Sequence, residues 1–432
     1  MKFTKVGAIA ASAVFVFAAC SPAPGGSAAA PSGGAAGAQP EVCKNKKGTS
    51  TSEIHVYSSL PRQGSNTAQT DALVESIRQI LDGKTVGAYT IKYTDLDDSS
   101  AANNGDWDGA VAQQNATTAA NDPDAMVFIG HFNSGAAKLT VPILNAACLV
   151  MISPANTYPG LTKEVTGVTE PGEPASYYPN GYRNYSRVIA TDDAQAGAGA
   201  AWAKELGATK AYVLDDTQVY GKGLARAWAI SAAALGIEVV SGGASEGFDA
   251  KATDYAALAQ KIKDSGADFL YIGSITGQNT GKLWKDLRAA MPDIKIMSGD
   301  GVFEEAFYDG TGEAGNGTYL TFGGVGPNEQ TSDAGKQWVA DYKAAHDGDD
   351  PPVYGIYGAA AAQVALDALN RATVKNDRYE VLKAVFATKD FASYLGTMSL
   401  DENGDNTLSE ATGYQIVDSW PPKFEKVLAA PE

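Results

Sequence analysis

Histidine and cysteine are scarce in this chain, three of each among 432 residues, and that scarcity removes several functions at once. His55, His131 and His346 share no ligand spacing, which argues against a zinc site, and no other metal-ligand cluster stands out. There is no GxxxxGK[ST] phosphate loop, and no GxGxxG follows the first strand candidate. No enzyme, metal or cofactor is therefore expected, although a carboxylate pair among the 50 acidic residues would escape such a scan. Positive charge is short too, with 33 Lys and Arg against 50 Asp and Glu and a net charge of −17. No basic run offsets this, so phosphate backbones and anionic lipid surfaces are repelled and no nucleic-acid partner is expected. No internal stretch is apolar for the length of a membrane span.

What is present begins with an N-terminal pattern. Lys2 and Lys5 precede an uncharged apolar stretch from Val6 to Phe17, and Ala18 and Ala19 stand directly before Cys20. That order reads as an export signal over residues 1–19, too short to cross a bilayer. The FAAC segment resembles a bacterial lipobox, with Phe17 where leucine is usual. The resemblance implies a lipid on Cys20 as the new first residue, on the outer side of the bacterial cytoplasmic membrane or in the periplasm. Cleavage after Ala19 with a free Cys20 is the alternative. From Ser21 to Pro40 the chain uses only Ala, Gly, Ser, Pro and Gln, so residues 20–50 read as a flexible, lipid-anchored tether. Membrane contact is then expected through the lipid only. With Cys20 acylated, Cys43 and Cys148 remain as a candidate disulfide in an oxidising compartment; their separation in sequence leaves open whether they meet.

From Glu53 onward short β-rich runs alternate with helical stretches. EIHVYSS, YTIKYTDL, AMVFIG and CLVMIS read as strands, separated by helices over NTAQTDALVESIRQIL and GAVAQQNATTAAND. After a Pro- and Gly-rich stretch the grammar restarts with SRVIA, KAYVLDD, IEVVSG, DFLYIGS and IKIMSGD, and helices over 193–206, 219–235, 254–265 and 280–290. A third part follows with YLTFGG and helices over 332–346 and 357–372. Two βα series predict an α/β protein with two doubly wound parallel-sheet lobes, whose ligands sit beyond the carboxyl ends of the strands.

Seven segments, in order, carry a wider likeness: SSLPRQGSNTAQ, IGHFNSGAA, MISPANTYPGLT, RVIATDDAQAG, DDTQVYGKGLA, MSGDG and LDENGDN. With them the chain resembles the type I periplasmic binding proteins of the branched-chain amino acid (Leu/Ile/Val) group, from about Glu53 to about Trp420. The resemblance implies a three-segment hinge near Ile189, Gly324 and Ser399. Lobe 1 would hold residues 51–189 plus 325–397, and lobe 2 residues 190–324 plus 398–432. It also implies capture of an amino acid or similar small ligand by closing lobes, delivery to an ABC transporter permease, and a protein that hinges as a monomer. The competing reading is a same-fold lipoprotein that senses or regulates cell-envelope proteins.

A zwitterion needs partners for both charges, since burying either alone is costly. Ser134 opens a helix after a strand, and its hydroxyl with the adjacent N–H groups can face a carboxylate; read alone it is an ordinary helix cap. Ala155 and Thr157 lie in the turn SPANT, which the family uses for the same ligand head. Asp300 stands where the family carries an acid for the ammonium, usually glutamate, and Tyr220 matches a tyrosine that closes from the second lobe. Near Gln63 and around Ile275 and Thr276 the aromatic residues of the leucine-binding members are missing, so the side-chain pocket is expected to differ. LDENGDNTLSE imitates a calcium loop, but its glycine falls at the fourth position and Thr412 at the twelfth, where a bidentate glutamate is required. It reads as a polar turn.

Overall fold

The structure, a computed structural model, describes residues 39–429; the signal expected over 1–19 and the acylation expected at Cys20 lie outside the described residues. The first half is built from β1 (Glu53–Leu60), α1 (Thr67–Leu81), β2 (Thr85–Val86), β3 (Tyr89–Asp97), α2 (Gly109–Asn121), β4 (Ala125–Gly130), α3 (Ser134–Ala146), β5 (Val150–Ser153) and β6 (Tyr185–Arg187). Their sheet runs β2-β3-β1-β4-β5-β6, parallel except for the β2–β3 hairpin. The continuous apolar run of β4 is buried along its whole length, as a central parallel strand covered on both faces requires. In α1, Leu73, Ile77, Ile80 and Leu81 recur on one helical face and are buried. The side chain of Asp108 caps α2 by accepting from the N–H groups of Ala110 and Val111.

The second half contains α4 (Asp192–Glu205), β7 (Lys210–Asp215), α5 (Val219–Ala234), β8 (Glu238–Val239), β9 (Glu246–Gly247), α6 (Ala256–Asp264), β10 (Phe269–Gly273), α7 (Thr280–Ala290), β11 (Lys295–Ser298), α8 (Glu305–Thr311) and β12 (Thr318–Phe322). The chain then returns to the first half. There α9 (Asp333–Ala345), α10 (Gly355–Arg371) and α11 (Arg378–Phe386) follow one another, α10 packing on α1 and α11 on β4 and β5, before the hairpin of β13 (Phe391–Ser393) and β14 (Gly396–Met398). It crosses once more to add β15 (Ala411–Gln415) and β16 (Lys423–Leu428) antiparallel to β12. The second sheet runs β16-β15-β12-β11-β10-β7-β8, with β9 also pairing β7.

Three expectations need correction. SRVIA does not open the second series: β6 pairs parallel with β5 and is the last strand of the first sheet. IEVVSG yields only the two-residue β8, because past Val239 the chain leaves the sheet edge. The tether does not extend to residue 50. Cys43 is bonded to Cys148 with Cα atoms 5.2 Å apart, and the N–H groups of Thr49 and Ser50 donate to Asp124 Oδ1 at 2.6 and 2.7 Å, so the chain is docked from Cys43 onward.

The order of strands reverses beside β1 and β4 in one sheet and beside β7 and β10 in the other. Both switch points present the carboxyl ends of these strands to the same cleft, the place where such sheets bind ligands.

Candidate ligand-binding cleft

On the first-half side, β4 ends at Gly130 and α3 begins at Ser134 after Asn133, which is the N-cap residue but makes no side-chain cap bond. Ser134 is therefore the first helical residue and not the cap. It is buried, and its Oγ accepts from Tyr158 N at 3.4 Å. The leading N–H groups of a helix lack intrahelical partners, so this end presents donors and positive potential to the cleft. Trp107 lies over it: a Cβ on Gly135 would stand 2.6 Å from the indole ring. The same indole Nε1 donates across to Gln218 Oε1 of the second half at 3.1 Å. An aromatic side chain thus borders the cleft from a position the sequence reading did not mark, whereas Gln63 is exposed and donates to Asp97 Oδ2 at 2.8 Å, apart from the other site candidates.

The turn carrying Ala155 and Thr157 is held from behind. Ser153 Oγ accepts from the N–H groups of Ala155 and Asn156 at 3.2 and 2.8 Å, so the Ala155 N–H is already used. Arg187, fully buried, donates from one terminal nitrogen to the carbonyls of Asn156 and Tyr158 at 3.0 and 2.9 Å, and from Nε to Asp405 Oδ1 at 2.7 Å. Asp405 belongs to the segment that imitates a calcium loop; its work is to anchor Arg187 and, through Thr162 Oγ1 at 2.9 Å, the far end of the same turn. Braced in this way, Thr157 is buried with an unpartnered Oγ1.

The second-half side is acidic. Asp300 follows β11 in a short 3-10 turn, Asp300–Val302. Its Oδ1 accepts from Gln195 Nε2 at 2.6 Å and Tyr220 Oη at 3.1 Å, and its Oδ2 from the hydroxyl of Tyr354, which comes from the first half at the start of α10. Tyr220 Oη also accepts from Gly301 N at 2.9 Å, so Tyr220 fixes Asp300 within one half and Tyr354 reaches it from the other. Asp192, at the start of α4, is fully buried with both carboxylate oxygens unpartnered. Burial, and then the charge of Asp300, push the Asp192 carboxyl well above its ordinary range; the neighbouring Thr157 hydroxyl, just outside good hydrogen-bond geometry, and Arg187, engaged by Asp405, offset this only in part. Burial also raises Asp300 against the lowering effect of its three hydroxyl and amide donors.

Ile275 and Thr276 follow β10. The Ile275 N–H donates to Asp216 Oδ2 at 3.1 Å, a carboxyl that burial pushes up to about 7 and that joins the ends of β7 and β10. Thr276 Oγ1 donates to Glu304 Oε1 at 3.3 Å. The cleft therefore gathers Ser134, Ala155, Thr157, Tyr220, Asp300, Ile275 and Thr276, and leaves Gln63 out. Sequence reading passed over Asp192, Gln195 and Tyr354. Asp192 stood in RVIATDDAQAG, a segment already marked, at a strand-to-helix junction; Tyr354 opens α10 from the returning segment, and nothing local distinguishes it.

Chemically, donors on one side and uncompensated carboxyls on the other suit binding of a dipolar ligand. The string Gly243–Gly247 reads GASEG, the spacing of a hydrolase nucleophile elbow. Ser245 there donates to Asp215 Oδ2 at 2.6 Å and leads into the two-residue β9, so the strand-turn-helix setting of an elbow is lacking.

Comparison with known proteins bears on the family and the fold. The family described as periplasmic binding protein matches residues 61–418. A Leu/Ile/Val-binding protein homologue of Brucella abortus is 28% identical over 282 residues, covering 65% of this chain and 69% of that protein. An amino acid binding protein of Pseudomonas aeruginosa is 28% identical over 318 residues, covering 72% of this chain and 78% of its own. The fold is shared with a leucine binding protein, LivK, from Thermotoga maritima, with a TM-score of 0.74 and 24% identity over 87% of this chain and 99% of that one.

Proposed function

Because the chain belongs to the periplasmic binding protein family, we propose that it is the extracytoplasmic receptor of an ABC transporter, capturing an amino acid between its halves and passing it to a membrane permease. That family consists of binding proteins rather than enzymes. One observation carries the amino acid reading: the N-terminus of α3 lies on one side of the cleft and two buried carboxyls, Asp192 beside the Thr157 hydroxyl and Asp300, on the other, with no cation bonded to either. A single zwitterion satisfies both sides, and burying either of its charges unpaired would cost several kcal/mol, on the order of the penalty for any isolated buried ion.

In this reading Ser134 and the leading N–H groups of α3 take the ligand carboxylate. Asp192, Asp300 and the Thr157 hydroxyl take the ammonium. Gln195 and Tyr220 orient Asp300, and Ala155 and Ile275 form walls. Tyr354 and Trp107 tie ligand capture to closure, since each bonds across the cleft. The lobes are residues 51–189 with 325–397 and residues 190–324 with 398–432, hinged near Ile189, Gly324 and Ser399. A lipid on Cys20 would keep the receptor beside its permease. The relatives named for Leu/Ile/Val and for amino acid binding support the ligand class. Isothermal titration of the purified chain with the common amino acids tests it. Saturable binding that disappears when the α-ammonium or the α-carboxylate is blocked is expected, and binding indifferent to both blocks would overturn it.

A further inference from the structure

A second pair of acids lies across the same cleft and the zwitterion head does not account for it. The loop between β3 and α2 carries Asp106 from the first half to the backbone of Gly277 in the second, so close that a Cβ on Gly277 would stand 2.1 Å from Asp106 Oδ2. The same carboxylate accepts from Gln278 Nε2 at 3.3 Å. Glu304, just before α8 in the second half, accepts on Oε1 from Asn66 Nδ2 of the first half at 2.8 Å and from Thr276 Oγ1. Its Oε2 is buried with no partner. Asp106 is 7% exposed and Glu304 4%.

Burial pushes Asp106 up to about 6, and burial together with the charge of Asp106 pushes Glu304 well above its ordinary range. Among the described residues no lysine, arginine or histidine figures among the charges acting on either carboxyl. Neutral amides and a hydroxyl orient one oxygen of each acid, and both acids are bonded to the same short segment, residues 276–278, without a counter-charge. Two such groups in a closing cleft repel and resist burial unless a cation enters or a proton is taken up. The pair is also near the head-group site: Tyr354, which donates to Asp300, has its hydroxyl raised chiefly by burial and by Asp300, and Glu304 adds a smaller effect of the same sign. Thr276, expected to line the side-chain pocket, is bonded to Glu304.

We propose that the ligand carries a second cationic group, that of a basic amino acid, held by Asp106 from one half and Glu304 from the other. This rests on the reading of Asp192 and Asp300 as the head-group site. Asn66, Thr276 and Gln278 hold the two carboxylates in place for the cation, and the unpartnered Oε2 of Glu304 is its first acceptor. Closure then brings together two acids that the second cation of such a ligand neutralises without proton uptake, so neutral amino acids of the same length are discriminated against by the charge they lack.

Isothermal titration at neutral pH with lysine, arginine and norleucine reads this directly, norleucine matching lysine in length without its amine. The expected result is tighter binding of lysine or arginine than of norleucine by at least about tenfold, a ratio equivalent to about 1.4 kcal/mol. Glu304→Gln and Asp106→Asn should each bring the ratio toward one, and Glu304→Asp, which keeps the charge, should retain most of it. Far-UV circular dichroism on each variant guards against misfolding, and Asp106→Asn at the loop gives an independent reading should Glu304→Gln fail to fold. Norleucine binding as tightly as lysine would overturn the inference and leave the head-group reading intact. Binding of none of the three would overturn both.

Discussion

Replacing Asp300 by asparagine separates charge from shape at the centre of the cleft. The carboxylate is held by Gln195 Nε2 at 2.6 Å, by Tyr220 Oη at 3.1 Å and by the Tyr354 hydroxyl. Tyrosine hydroxyls can turn to accept as well as donate, so an amide of the same size keeps most of this network and the fold should change little. What it loses is the negative charge opposite the ligand ammonium. Truncating one partner of a buried, hydrogen-bonded charge pair costs about 2–5 kcal/mol, which is about 30-fold to several thousand-fold in the dissociation constant. The ligand-free variant should melt no lower than the parent, because Asp300 is raised by burial and an ionised form there opposes folding. Titration calorimetry gives the affinity, and a melting curve the stability. An affinity within about threefold of the parent, less than 1 kcal/mol, would refute the assignment of Asp300 to the ammonium.

Further outcomes follow from other parts of the structure. Arg187→Met leaves Asp405 buried without its partner and releases the carbonyls of Asn156 and Tyr158; denaturant unfolding should show a loss of about 3–5 kcal/mol, and ligand affinity should fall as Thr157 loses its brace. Cys43→Ser removes a cross-link between residues separated by 105 positions and should cost about 2–5 kcal/mol, while affinity stays unchanged because Cys148 precedes β5 at the sheet end away from the cleft. The buried acids also set a pH dependence. Asp106 is pushed up to about 6 and Asp192, Asp300 and Glu304 are raised as well, in each case chiefly by burial. Groups whose folded values are raised stabilise the closed form fully below the ordinary carboxylate range and lose that contribution as pH climbs through the raised values. Small-angle scattering of the ligand-free protein should therefore show a more compact particle near pH 5 than near pH 8, roughly either side of these values, and equal radii at both would contradict it.

Much of this architecture was legible because parallel sheets write themselves as apolar runs. AMVFIG and DFLYIGS had only one reading, and their carboxyl ends pointed to Ser134 and to Ile275 and Thr276. SRVIA misled because a strand that closes one sheet and a strand that opens the next look alike locally; only its pairing with Met151–Ser153 tells them apart. The head-group acids were half legible. Asp300 stood between glycines after a strand, whereas Asp192 sat in a marked segment without a reason to prefer it over Asp193. Tyr354, Trp107, Asp106 and Glu304 were beyond reach, since their role arises only when distant segments cross the cleft. The polar LDENGDN segment reads locally as a turn, but its function in holding Arg187 depends on a partner more than two hundred residues earlier, a separation of 218.

The most direct measurement of the central claim is a thermal-shift screen of the purified chain against the common amino acids and their α-blocked derivatives. A true ligand at 100 times its dissociation constant should stabilise the native state by about 2.7 kcal/mol. The account predicts a clear shift with one or more free amino acids, basic ones foremost, and none with derivatives blocked at either α-group. No shift with any free amino acid would contradict it and turn attention to the reading in which this fold senses or regulates another envelope protein.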